Sequence, residues 1–304
     1  MSSFATFTPA HRGGRGSPLV CLHGFLDTWR VWDLVLPRLE RRHDVLALTL
    51  PGHAGGPPVE GEITDALLPG AVEHAMDEAG FDRAHLVGSS LGGYVALQLA
   101  ARGRAESVVA IAPAGGWMPD DASYLELLGL QRTLSRQAKA AAPLADSILS
   151  TRDGRRRATR LMTRNFEHIP VGLLAHQLLG VARCEAAGAM IEYGLRTEWT
   201  LEADAIACPV RVIWGSADEL LPWPRAAARY REEWLPHADW VLLEDVGHYP
   251  QLDVPLEAAE LITGFTSRSD TDTRSNPSDS ASRPARRNTA SASSGRPAAR
   301  NEPA

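Results

Sequence analysis

Lysine and cysteine are scarce in this 304-residue sequence. Of its 31 basic residues only Lys139 is a lysine, and it does not stand in a G-x-x-x-x-G-K motif followed by Ser or Thr, which excludes a P-loop nucleotide site. The three cysteines, Cys21, Cys184 and Cys208, lack C-x-x-C spacing and leave an odd number. We therefore expect neither a disulfide framework nor a zinc site, and a cytoplasmic location fits this composition best.

The sequence also lacks an excess of positive charge and any long hydrophobic run. Its formal net charge is −6 and its pI is near 5.9, which argues against a nucleic-acid partner that would need basic residues to neutralise phosphates. No stretch reaches the roughly 18 apolar residues of a membrane span, and Met1 to Gly16 do not resemble a signal peptide. We expect a small-molecule partner; composition leaves the oligomeric state open.

Composition changes abruptly near Ser267. From residue 267 to residue 304 there is no Leu, Ile, Val, Phe, Tyr or Trp. A segment of this kind cannot bury enough apolar surface to offset the entropy lost on ordering. We predict a disordered tail rich in Arg, Ser, Pro and Ala over 267–304, and favour a solvated tail over a tether for an anionic partner.

Short apolar runs alternate with helical patterns, which is typical of an α/β fold with a mostly parallel sheet flanked by helices. The predicted strands are Pro18–Leu22, Val45–Leu48, Ala84–Val87, Ser107–Ile111, Val210–Trp214 and Trp240–Leu243, with a candidate edge strand at Phe4–Thr8. The predicted helices are Trp32–Glu40, Ala66–Glu78, Leu91–Ala101, Pro224–Trp234 and Leu256–Phe265. Residues 117–199 contain no convincing strand. We predict a core from residues 1–116 and 200–266, with 117–199 as an inserted helical cap.

The strongest local motif is Gly88-Ser89-Ser90-Leu91-Gly92. It lies between a predicted strand and a predicted helix, the context of a nucleophile elbow. Such a turn projects the central side chain from the sheet edge, and small residues must stand two positions before and after it. Ser90 occupies the centre of this spacing, so it is the candidate nucleophile.

A serine hydroxyl needs a general base, and the base needs a carboxylate that orients it. His248 and Asp218 each follow a predicted strand, and their order in the chain is the one expected after such a serine. Catalytic groups of open α/β sheets collect at the carboxyl ends of the strands. His237 and Asp239 precede their strand and are weaker candidates because they belong at the opposite edge.

The same site needs backbone donors for an oxyanion. The N–H group of Leu91 follows the candidate nucleophile directly. A second donor is expected in the loop after an earlier strand, where His23-Gly24-Phe25 fits with the Phe25 N–H as the donor.

These motifs resemble the α/β-hydrolase superfamily, specifically its cap-bearing, esterase-like members. The resemblance is carried by His23-Gly24-Phe25 with Trp32, Pro51-Gly52-His53, Gly88 to Gly93, Trp214 to Asp218 with Pro222, and Gly247 to Pro250 with Pro255. It implies that Ser90 is the nucleophile, His248 the base and Asp218 its orienting acid. It also implies that Phe25 and Leu91 form the oxyanion hole under a helical cap.

The chain departs from the family pattern at informative positions. Thr49 stands where an acidic residue is usual. Ser90 argues against the dehalogenase and epoxide-hydrolase branches, which use Asp as the nucleophile. Phe25 and Leu26 are also found in the branch that resembles a menaquinone-pathway synthase, but Tyr94 replaces the Arg usual there.

The predicted activity is hydrolysis of a carboxylic ester of a small or medium-sized apolar substrate through an acyl-enzyme, without a metal or organic cofactor. Apolar side chains that could line its pocket are Trp117, Met118, Met162, Phe166 and Tyr249. The same three catalytic residues also serve a carbon–carbon-bond hydrolase, a thioesterase or acyltransferase, and a cofactor-free perhydrolase. A non-catalytic ligand-binding protein on the same fold is the alternative from another class.

Overall fold

The computed structural model describes residues 6–275, which contain one seven-stranded sheet. The strands are β1 (Ala10–Gly14), β2 (Ser17–Leu22), β3 (His43–Leu48), β4 (Ala84–Ser89), β5 (Ala105–Ile111), β6 (Val210–Gly215) and β7 (Asp239–Leu243). Their order in the sheet is β1-β3-β2-β4-β5-β6-β7. Only β1 is antiparallel to its neighbour, and every other pair is parallel. The predicted mostly parallel α/β fold is therefore confirmed.

The edge strand lies later in the chain than predicted. Residues 6–8 form no strand, residues 1–5 lie outside the described range, and β1 begins at Ala10. Its sequence is rich in glycine and has little intrinsic strand propensity. It becomes a strand because it pairs with β3 along its whole length, from Ala10 opposite Leu48 to Gly14 opposite Asp44.

The helices follow the predicted alternation with the strands. They are α1 (Leu36–Leu39), α2 (Leu67–Ala79), α3 (Leu91–Ala101), α4 (Ser123–Ala141), α5 (Ala145–Leu149), α6 (Arg152–Thr159), α7 (Val171–Ala182), α8 (Ala187–Gly194), α9 (Pro250–Asp253) and α10 (Pro255–Ser275).

Two of the predicted helices are broken into shorter pieces. The predicted helix at Trp32–Glu40 is a 3₁₀ turn over Trp29–Trp32 followed by α1, in whose first turn Pro37 removes a backbone donor. The predicted helix at Pro224–Trp234 is a 3₁₀ turn over Arg225–Ala227 and a π-helical turn over Tyr230–Trp234.

Alternating side chains of the strands build a core on each face of the sheet. On one face Leu22 and Leu86 pack in a cluster with Met76 of α2 and Leu99 of α3. On the other face Cys21, Val87 and Ile213 join a cluster with Trp32 and with Ile262 of α10. Because strands β2 to β6 are covered on both faces, they read in the sequence as nearly continuous apolar runs, unlike the partly exposed edge strands β1 and β7.

Helices α4 to α8 all lie between β5 and β6, in the segment for which a helical cap is predicted. Leu173 and Leu174 of α7 and the nearby Phe166 are buried in the same cluster as Tyr249. At the other end of the chain, the predicted tail boundary at residue 267 falls within α10, and residues 276–304 lie outside the described range. No helix within residues 6–275 is long and apolar enough to cross a membrane.

Candidate functional site

Ser90 occupies a strained turn between the central strand β4 and the helix α3. Its backbone has φ 55° and ψ −118°, in the positive-φ region that residues other than glycine rarely adopt. The Ser90 N–H donates to the Ile111 carbonyl at 2.8 Å, and its carbonyl accepts from the N–H groups of Gly93, Tyr94 and Ala114. Neighbouring segments therefore hold Ser90 in this conformation.

The flanking glycines are required because other backbone comes too close for a side chain. A Cβ on Gly88 would lie 2.1 Å from the Gly92 carbonyl oxygen. A Cβ on Gly92 would lie 2.4 Å from the carbonyl oxygen of Leu22 in β2. The glycine spacing seen in the sequence thus lets α3 start directly against the end of β2.

Asp218 and His248 follow the neighbouring strands β6 and β7 and form a buried pair. The Asp218 Oδ2 and His248 Nδ1 atoms are 2.7 Å apart, and neither side chain is exposed. Asp218 Oδ1 accepts from the backbone N–H groups of Leu220 and Leu221, at 2.8 and 2.7 Å. The carboxylate is therefore anchored by the backbone on one oxygen and receives the histidine on the other.

The outer nitrogen of His248 is unoccupied. Its Nε2 atom is buried and makes no hydrogen bond to any residue within 6–275. A neutral imidazole whose Nδ1 donates to Asp218 presents Nε2 as an acceptor. This is the tautomer that a general base needs.

The loop after β2 is braced by His23. Its Nε2 accepts from the Leu50 N–H at 2.9 Å, so Nδ1 carries the proton and donates to the Gly24 carbonyl at 2.7 Å. Burial lowers the pKa of His23 well below its ordinary value, with a further lowering by nearby His53. Because both nitrogens of the neutral His23 imidazole are hydrogen-bonded to the backbone, its role is to hold the loop and not to transfer a proton.

Tyr249 brings the segment after His248 to this loop. A Cβ on Gly24 would lie 2.6 Å from the Tyr249 hydroxyl oxygen and 3.2 Å from Ser90 Cβ. The tyrosine hydroxyl, the glycine preceding Phe25 and the candidate nucleophile therefore meet at one point. Burial also raises the pKa of Tyr249 well above its ordinary value, which keeps the hydroxyl protonated.

Asp27 is a functional candidate that the sequence reasoning missed. The residue is 6% exposed, and its carboxyl accepts from the Thr28 N–H at 2.8 Å, from Gln177 Nε2 at 3.3 Å and from the Tyr249 hydroxyl. Burial raises its pKa to about 7 despite these hydrogen bonds. A signal was present, because an acidic residue two positions after Phe25 belongs to the same loop, but sequence alone did not show that it is buried.

The structure lets us predict a pH effect on stability from Asp27. Because the folded-state pKa of about 7 exceeds the ordinary 3.8, the folded protein holds this proton more tightly than the unfolded chain. The contribution of Asp27 to the free energy of unfolding should fall as the pH rises from about 4 to 7. The free energy of unfolding of Asp27→Asn, relative to that of wild type, should therefore rise by about 2–3 kcal/mol as the pH increases from 5 to 8.

Urea unfolding of both proteins at several pH values measures this gain. A free-energy difference between them that stays constant from pH 5 to 8 would contradict the assignment of this titration to Asp27.

Two cavities lie beside the candidate residues. The first, of about 140 Å³, is lined by Phe25, Ser90, Leu91 and Tyr94 among others. The second, of about 290 Å³, includes Asp27 and Tyr249 in its lining. Phe25 and Gln131 line both, so the cavities adjoin at the predicted oxyanion loop.

The structure separates the five predicted pocket residues. Met162 and Tyr249 line the second cavity. Trp117 is instead buried in the hydrophobic core against Tyr124, and Phe166 is buried among core residues. Met118 is half-buried and lines neither cavity. Apolar character predicts burial, but only packing decides whether a buried face meets the core or a cavity.

Within residues 6–275, no group of three or more His, Cys, Asp or Glu side chains is arranged to hold a metal ion. The three cysteines are free thiols, and burial raises the pKa of Cys184 to about 12 and that of Cys208 to about 11.

The sequence of this chain is similar to those of known hydrolases. Residues 19–261 match the family described as the alpha/beta hydrolase family. The chain is 33% identical to the epoxide hydrolase EphH of Mycobacterium tuberculosis over 211 residues, covering 67% of this chain and 95% of that protein. It is 32% identical to the pimeloyl-(acyl-carrier protein) methyl ester esterase of Aromatoleum aromaticum over 273 residues, covering 80% and 96%.

Among solved structures, a thermophilic esterase from Thermogutta terrifontis superposes with a TM-score of 0.65 at 21% identity, covering 86% of this chain and 93% of the esterase. At this identity the likeness concerns the fold alone.

Proposed function

Because the chain belongs to the alpha/beta hydrolase family, we propose that it is a serine hydrolase that cleaves carboxylic esters through an acyl-enzyme. The observation that carries the proposal is the buried Asp218–His248 pair. His248 uses Nδ1 to bind Asp218, so its Nε2 atom is left without a hydrogen-bond partner within residues 6–275. Ser90 supplies a nucleophile in the strained turn after β4. Two hydrolase relatives at 32–33% identity support the reaction class.

In the first step His248 Nε2 removes the Ser90 hydroxyl proton as Ser90 Oγ attacks the ester carbonyl. The carbonyl oxygen gains negative charge, and in this proposal the N–H groups of Phe25 and Leu91 donate hydrogen bonds to it. His248 then gives the proton to the leaving alcohol, and the acyl group stays on Ser90. In the second step His248 activates a water that attacks the acyl-enzyme, which releases the acid and restores Ser90.

Epoxide hydrolysis is a second candidate because of the EphH relative. The chemistry of Ser90 disfavours it. A serine oxygen that opens an epoxide forms an ether, and an ether has no carbonyl for water to attack in a second step. A carboxylate nucleophile forms an ester, which water can cleave. We therefore place ester hydrolysis first, and turnover of styrene oxide would reverse this order.

The other reactions that use these three residues are kept apart by their substrates. A carbon–carbon-bond hydrolase, a thioesterase or acyltransferase and a perhydrolase would each show a higher kcat/KM on their own bond type than on the matching simple ester. A non-catalytic binding protein would bind a ligand without turnover. A binding protein of this kind would give no reason for the buried Asp218–His248 pair or for the strained backbone of Ser90.

A series of p-nitrophenyl esters of increasing acyl length tests the proposal on the purified protein. We expect turnover with a maximum at short acyl chains, because the cavity that contains Ser90 has only about 140 Å³. At saturating substrate, a rapid burst of p-nitrophenol equal to the enzyme concentration would indicate the acyl-enzyme. No release of p-nitrophenol from any member of the series would refute the esterase proposal.

A further inference from the structure

The second cavity has a mostly apolar lining, which includes Leu174, and one group of polar side chains that we call its polar end. This group is Asp27, Gln177, Tyr249 and Thr163. The other polar residues of the lining are Gln131, Gln137, Arg157 and Thr159. A buried carboxyl costs free energy unless it is hydrogen-bonded, and the hydrogen bonds from Thr28, Gln177 and Tyr249 hold the Asp27 carboxyl at the wall of this cavity.

This polar end lies close to the reacting atoms. The Tyr249 hydroxyl oxygen and Ser90 Cβ are 2.6 and 3.2 Å from one common point, the position a Cβ on Gly24 would take. The two atoms are thus separated by less than 6 Å, by geometry alone. A substrate group that reaches Tyr249 and Asp27 must be only a few bonds from the ester.

The cavity also belongs to the leaving-group side of the proposed reaction. Tyr249 directly follows His248, the residue that would protonate the leaving alcohol, and lines the second cavity. Ser90 and Leu91 line the first cavity instead. The acyl part therefore fits the first cavity, beside the nucleophile, and the alcohol part fits the second.

The hydrogen-bonding capacity of the polar end matches a hydroxyl group. Thr163 Oγ1 is buried and makes no hydrogen bond within the described part of the chain, so it is left to pair with a ligand. The Tyr249 hydroxyl donates its hydrogen bond to Asp27, so the Tyr249 oxygen remains able to accept a hydrogen bond. A ligand hydroxyl can donate to this oxygen and accept from Thr163, whereas an ammonium group can only donate and a carboxylate can only accept.

We infer that Asp27, Tyr249 and Thr163 form a hydroxyl-binding subsite, and that the protein selects monoesters of 1,2-diols. This inference rests on the proposed esterase function and names its substrate class. In the reaction water cleaves the ester: the acyl carbon gains the hydroxyl group, and the leaving oxygen gains the proton to release the free diol. The hydroxyl on the second carbon stays bound to the subsite throughout.

Matched esters test this selectivity. 2-Hydroxyethyl butyrate and propyl butyrate differ only by a hydroxyl in place of a methyl group at the second carbon. We expect kcat/KM for the hydroxyl ester to exceed that for propyl butyrate by at least about tenfold, because the buried polar groups stay unpaired with the methyl. For 4-hydroxybutyl and pentyl butyrate, whose difference lies farther from the ester, we expect a ratio near one.

Variants connect the ratio to the named residues. Tyr249→Phe and Asp27→Leu should bring the hydroxyl-to-methyl ratio close to one, and Thr163→Val should lower it. Asp27→Asn, which keeps the volume and a hydrogen-bonding group, should retain part of the preference. Leu178→Val, in the same cavity but without a polar group, should change both esters alike and leave the ratio as in wild type. A ratio near one in wild type, or an unchanged ratio in all the polar variants, would overturn the inference.

A binding experiment separates this inference from the proposed function. Calorimetry with Ser90→Ala measures binding of 2-hydroxyethyl butyrate and propyl butyrate without turnover. Tighter binding of the hydroxyl ester together with no hydrolysis by wild type would retain the subsite and refute the serine esterase. Hydrolysis of both esters by wild type with equal binding and equal kcat/KM would retain the esterase and refute the subsite.

Discussion

Replacing Ser90 with Ala is expected to lower kcat for ester hydrolysis by between about 10³- and 10⁶-fold. The variant keeps the binding cavities but has no oxygen that can form the acyl-enzyme. His248→Ala should have a comparable effect, because the Ser90 hydroxyl is a weak nucleophile without a base. The double variant should be little worse than either single one, since the two residues act in the same step.

Matched controls exist for both substitutions. Ser89→Ala removes a neighbouring buried hydroxyl that has no hydrogen-bond partner within residues 6–275, and it should leave kcat nearly unchanged. His237→Ala removes an exposed histidine that precedes β7 and should also be nearly neutral. Initial rates with p-nitrophenyl butyrate measure all five proteins. Near-normal activity of Ser90→Ala or His248→Ala would refute their catalytic assignment.

Asp218→Asn is expected to lower kcat by about 10⁴-fold while the fold stays intact. Two backbone N–H groups, of Leu220 and Leu221, donate to Oδ1 of the carboxylate. An asparagine must therefore keep its oxygen at that position and turn its NH₂ group toward His248 Nδ1. Nδ1 then has to accept, the proton moves to Nε2, and the imidazole can no longer take the Ser90 proton.

The asparagine test has its own control in Asp239. This carboxylate begins β7, at the opposite edge of the sheet, and pairs with Arg211. Asp239→Asn should keep kcat within a few-fold of wild type. Kinetics with p-nitrophenyl butyrate and a thermal melt measure both variants, and an Asp218→Asn enzyme with kcat close to wild type would show that Asp218 does not orient the base.

Local sequence was sufficient for the elements that carry the three proposed catalytic residues. The strands preceding Ser90 and Asp218 are buried along their whole length, whereas the strand preceding His248 is a partly exposed edge strand. The apolar runs of all three are bounded by turn residues, so they were located to within about two residues. Because parallel strands end at the same edge of a sheet, position after a strand also indicated which side chains could meet. Helix α3 was predicted with its observed bounds, since the elbow fixes where it starts.

Long-range packing decided the features that local sequence could not predict. The edge strand β1 has no strong strand pattern and exists because β3 offers it hydrogen bonds. In the segment between β5 and β6, Trp117 and Phe166 are buried in the core, while Met162 lines the second cavity. All three side chains are large and apolar, so residue type alone does not distinguish them.

For this protein, the sequence alone determined the hydrolase fold and the residues proposed to carry its chemistry, because those signals are short and local: a glycine spacing, an apolar run, a residue just past a strand. Only the tertiary structure brought Asp27 to Tyr249, although the two residues are far apart in the chain, and brought the Tyr249 hydroxyl close to Ser90. Burial and contact depend on the whole fold. The raised pKa of Asp27 and the polar end of the second cavity were therefore decided there.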